Sequence, residues 1–168
     1  MSWEDELKAL AHDRENASEA ILAQMTVDNP GTLLRQLRHY LAEQANRGKL
    51  KRTYDAPRLD NTREKGLQEL VCEEVEFRSD SSLTFSVLLE PERTGWLVKR
   101  FDFHLHFVGR SINMVRIELL QDRGHDPLNV PRCHFHIGDS NAHIPFPIMS
   151  PRLMLHLICE HIELDVGL

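Results

Sequence analysis

A chain of 168 residues, 41% hydrophobic and 27% charged, has the size and composition of one globular domain with its own core. Its formal net charge of −6 argues against indiscriminate nucleic-acid binding, which runs on many Lys/Arg contacts to phosphate. The cysteines, Cys72, Cys133 and Cys159, form no CxxC pair, and with neither a signal-peptide pattern nor an apolar run of about 20 residues the expectation is a cytoplasmic protein with reduced thiols and no membrane segment.

Ser2 suits a helix cap, with Asp5 as its capping-box partner. Trp3, Leu7, Leu10, Ala17 and Ile21 make a heptad-like stripe, interrupted by Arg14 and Gln24. Such a helix is expected to pack on its own domain. "VDNPGT" breaks the chain, and a second helix follows with Pro30 in its first turn and Gly48 past its end. Leu33, Leu34, Leu37, Tyr40 and Leu41 are its buried stripe. Around it lies a basic cluster, Arg35, Arg38, Arg47, Lys49, Lys51 and Arg52, expected to be a solvated face and polar loop, with nucleic-acid phosphates or an acidic partner as the alternative. "KRTYDAPRLDNTREKG" reads as a linker, and "LQELVCEEVEF" is ambiguous, fitting a short helix on Leu67, Leu70 and Val71 that runs into a strand near Val75 and Phe77.

From there the period is two. Leu83, Phe85, Val87 and Leu89 alternate with Thr84, Ser86 and Leu88; Phe101, Phe103, Leu105 and Phe107 alternate with Arg100, Asp102, His104 and His106. Val115, Ile117 and Leu119 alternate with Arg116 and Glu118, and Cys133, Phe135 and Ile137 with His134 and His136. "DRGHDPLNVP" is a longer loop before the last of these runs. The chain closes on a helix capped by Ser150, with Leu153, Met154, Leu157, Ile158 and Ile162 facing the core and His156, Glu160 and Glu163 outward. The expected fold is α+β, an antiparallel β-meander of about four to five strands, with two N-terminal helices and one C-terminal helix packed on one face. It forms a single domain, helical over about 1–50, with the sheet and last helix over about 67–165.

Of the ten histidines, eight stand at or after His104: His104, His106, His125, His134, His136, His143, His156 and His161. If the Phe101–Phe107 row faces the helices, then Asp102, His104, His106, Arg116, Glu118, His134 and His136 share the opposite face. Those residues, without Asp102, are the expected catalytic set. His104, His106 and His134 are the expected ligands of a divalent transition metal such as zinc, with Glu118 as orienting group or base and Arg116 as an anion holder. Asp139 and His143, in the turn-forming "GDSNAH", are placed to fold back over this face.

Three short stretches resemble known motifs. "FDFHLHF" is similar to the Asp-x-His-x-His opening of polymerase-and-histidinol-phosphatase metal phosphoesterases, on Asp102, His104 and His106, but it sits mid-chain with too little sequence after it for their barrel. "HFHIG" resembles part of the histidine-triad nucleotide hydrolases, with Gly138 where the third histidine would stand. "HLICEH" is similar to the inverted zincin motif, with His156 one residue too far from Glu160. None is adopted, because each covers fewer than about ten residues. The functional expectation is a hydrolase of phosphodiester or phosphate-bearing substrates. Its alternative is a non-catalytic interaction or regulatory subunit, meeting a protein partner or a second copy of itself through the sheet face or N-terminal helices.

Overall fold

Asn29 sets where the first described helix of the computed structural model begins. Its backbone is extended (φ −160°, ψ 159°), and its Oδ1 accepts from the Thr32 N–H at 2.8 Å. Pro30, which has no N–H to satisfy, takes the first helical position. The structure describes residues 25–51, 56–62, 66–120 and 132–162. The expected helix at Ser2–Gln24, the loop around His125 and the residues Arg52 and Glu163 lie outside them.

Helix α1 (Pro30–Asn46) buries Leu33, Leu37, Tyr40 and Leu41. It ends in a Schellman motif. Gly48, at φ 79°, donates to Ala45 O (3.0 Å), and Lys49 N donates to Gln44 O (3.0 Å). A side chain at Gly48 would be strained in that left-handed conformation.

The strands are β1 (Thr26–Val27), β2 (Arg58–Asn61), β3 (Gln68–Glu76), β4 (Ser82–Glu92), β5 (Gly95–His106), β6 (Met114–Leu120), β7 (Cys133–Ile137) and β8 (Ile144–Pro145). They form one antiparallel sheet in the order β2-β3-β4-β5-β6-β7-β8, with β1 paired to the start of β5. This is the expected α+β meander, but with eight strands among the described residues rather than four to five. The additional strands are short, and each lies in a segment that reads as a break. β1 runs into "VDNPGT", β2 lies in the stretch read as a linker, and β8 follows the "GDSNAH" turn.

"LQELVCEEVEF" is strand from Gln68 to Glu76. Its buried residues, Leu70, Cys72, Val75 and Phe77, are spaced two, three and two apart, and the register shifts between Cys72 and Val75. That bulge breaks strict alternation and imitates a helical spacing. A second shift at Leu88/Leu89 pairs Leu88 with Arg100 and Leu89 with Val98, so β5 buries Val98 and then Phe101.

The core lies on one face of this sheet. Register pairs Cys72 with Phe85, Phe85 with Phe103, and Phe103 with Ile117. Phe85 and Phe103 stack at 5.1 Å between centroids, and Phe101 meets Phe103 edge-on at 5.5 Å. Leu33, Leu37 and Leu41 of α1 join the same cluster. So do Met154 and Leu155 of helix α2 (Pro151–Leu157), which continues as a π-helical turn, Ile158–Ile162. Two details correct the expected C-terminal helix. The α-helical part is short, and Leu153 is exposed while Leu155 and Cys159 are buried. With apolar residues on several sides of "LMLHLIC", the helical period alone does not fix which stripe faces in.

Candidate metal centre

Because Phe101, Phe103, Ile117 and Leu119 face the core, the residues between them project from the other side. Two rows cross the sheet there. One runs Ser86–Asp102–Glu118–His134, the other Thr84–His104–Arg116–His136. Six of the seven polar residues expected on this face stand in these rows, and the seventh, His106, stands two residues beyond His104 on the same face, between Ser82 and Met114. Their exposure falls along the rows. His104 keeps 34% of its side-chain surface, Arg116 28% and Glu118 22%, while His136 keeps 6% and His134 none.

The inner end is closed by the turn after β7. Gly138 N donates to Met114 O (2.8 Å) and Ser140 N to Ile137 O (3.2 Å), and the chain re-enters the sheet where Ile144 pairs with Phe135. This brings His143 back over the strand. Its ring centroid lies 4.6 Å from that of His134 and 4.7 Å from that of His136, which are 5.0 Å from each other. One ring nitrogen from each of the three lies within 4.8 Å of the others, and this is the set among the described residues with metal-binding geometry.

Two contacts orient the imidazoles. His136 Nδ1 lies 3.2 Å from the Ser140 carbonyl oxygen. A carbonyl only accepts, so Nδ1 carries the proton and Nε2 presents a lone pair. That Nε2 faces Glu118 Oε2 at 3.9 Å, and His134 Nε2 stands 3.4 Å from the same oxygen. The 3.4 Å between His134 Nε2 and Glu118 Oε2 also equals the separation of two ligand atoms each about 2.1 Å from a tetrahedral zinc. A lone pair facing a carboxylate is an unfavourable pairing that a cation between them would relieve. The nearby His134 imidazole holds the Glu118 carboxyl down to about 2, against the effect of its burial. Burial, followed by the Arg116 charge, lowers the His136 pKa.

The trio differs from the set expected from the sequence. His134 belongs to both. His104 is separated from His136 by the whole of β6, and His106 is exposed opposite Met114. His104 instead lies 3.9 Å from Asp102 Oδ1, whose Oδ2 accepts from Ser86 Oγ at 2.8 Å. Asp139 is exposed. His143 folds back over the face as expected from its turn, although it was not among the expected ligands, and the Ser140 carbonyl is a contact that strand alternation does not give. The signal for them was the pair of turn formers, Gly138 and Asn141, just before a histidine.

The basic cluster is largely engaged within the chain. Arg38 donates to Pro57 O (2.7 Å), and Lys51 pairs with Glu76 (3.1 Å) and Asp80 (2.8 Å). Arg47 reaches Glu160 at 2.7 Å, and Lys49 pairs with the same carboxylate. Arg35 makes a long contact to Thr32 Oγ1 (3.5 Å). Among the described residues no helix is long and apolar enough to cross a membrane. No protein-family model, curated protein or solved structure matches this chain. The functional reading rests on the site itself.

Proposed function

We propose that this protein is a metal-dependent hydrolase whose cation is held by His134, His136 and His143. The observation that carries the reading is the convergence of three imidazole nitrogens within 4.8 Å of one another beside Glu118. Imidazole suits zinc, copper, iron and nickel, and three protein ligands leave a position for water. A divalent ion there would bring the pKa of that water to about 7. Glu118 is placed either to complete the coordination or to take the water's proton. The graded exposure supports access from one side, across β6 toward His104 on β5.

The test is metal analysis of protein purified without a histidine tag, then dialysed against zinc. Wild type is expected to retain about one divalent transition metal per chain, with His136→Ala and His143→Ala each lowering affinity by tenfold or more. Cobalt substitution should give the intense visible bands of a tetrahedral site. A folded wild type that retains no stoichiometric metal would overturn the reading.

A further inference from the structure

Arg116 is short of acceptors. Its Nε is buried and has no hydrogen-bond partner among the described residues. Its Nη1 lies 3.9 Å from Glu118 Oε1, beyond hydrogen-bond length. A guanidinium cannot shed its charge, so withdrawing one of its donors from water without an acceptor is unfavourable unless a ligand supplies one. The residue stands in register with His136 on one side and His104 on the other, and so separates the closed and open ends of the polar face.

We infer that Arg116 binds an oxygen of a phosphate-ester substrate whose second oxygen faces the cation held by His134, His136 and His143. The inference rests on the metal-centre reading for that second contact, but the Arg116 contact can be measured without it. The guanidinium fork accepts the paired oxygens of any oxyanion, and what favours phosphate is the span: adjacent strands stand about 4.8 Å apart, a distance that a tetrahedral anion bridges with oxygens diverging toward each side. The ester substituents then leave over the half-exposed Asp102 and His104, where the face is open. Asp102 and Glu118 disfavour a free anion on this face. Selectivity therefore depends on the cation and Arg116 acting together.

The experiment titrates inorganic phosphate, and acetate as a carboxylate control, into zinc-loaded and zinc-free protein by calorimetry. Zinc-loaded wild type is expected to bind phosphate more tightly than acetate. Arg116→Gln should weaken phosphate binding by roughly tenfold or more while its zinc content is unchanged. Arg116→Lys, which keeps the charge but not the fork, should recover only part of the loss and serves as the test if the Gln variant does not fold. The inference is overturned if either folded variant binds phosphate as wild type does, or if acetate is preferred. Failure of zinc to bind would sink the metal centre alone. Arg116-dependent phosphate binding to zinc-free protein would then still support the anchor, and its absence would overturn it.

Discussion

Phe103 shows how much a single side chain decides here. It is fully buried, stacked on Phe85 and edge-on to Phe101, and its neighbours in sequence, Asp102 and His104, point the other way. Phe103→Ala is expected to lower stability by about 3–5 kcal/mol in urea denaturation, because the cavity left between two rings cannot close without moving strands. A near-neutral result would mean that the polar and apolar faces are exchanged. The placement of His104, Arg116, Glu118, His134 and His136 was legible in the sequence for the same reason. Strand parity is local, and each of these residues sits beside an apolar neighbour that sets its direction. The grouping of the histidines was not legible. Parity says which face a side chain leaves from but not how far across the sheet its partners stand, and His143 is carried by a turn whose path no periodicity encodes.

Among the elements, the π-helical turn at Ile158–Ile162 is tied to the exit of α1 through Glu160, which receives both Lys49 and Arg47. The Lys49 contact, reinforced by both positive charges, lowers the Glu160 pKa despite its burial. A carboxyl whose folded pKa is depressed contributes stability above its unfolded value, about 4.3 for glutamate, and that contribution is lost as pH falls through the folded value. Glu160→Gln should therefore destabilise the protein at neutral pH and leave the variant closer to wild type in acid, measured as melting temperature against pH. Equal destabilisation at every pH would show that packing, not charge, holds this contact. Elements with one period were readable: α1 with Pro30 in its first turn and its Gly48 exit, and the runs of β4, β5 and β6. β3 was not, because its bulge inserts a step of three into a pattern of two. The rotation of α2 was hidden by apolar residues on more than one side.

For the whole molecule, the strand count was the least visible quantity. β1, β2 and β8 are too short to show a period and lie among Pro, Asn, Asp and Gly, so their existence depends on what they dock against rather than on their own sequence. β1 is the clearest case. Thr26 and Val27 pair with Leu97 and Trp96, and Val98 N donates to Met25 O at 3.1 Å. Gly95 makes room for this, since a Cβ there would sit 2.7 Å from Val27 O. Along its leading half, β5 thus has β4 on one flank and this small strand on the other. Residues 25–27 act as a sealing strip over backbone amides and carbonyls flanked by Trp96 and Leu97. A chain shortened to begin at residue 29 should keep the sheet but leave that ribbon bare to other molecules, and unpaired apolar margins of this kind recruit one another into aggregates. Light scattering that rises with concentration for the shortened chain, and not for the full one, is the expected sign.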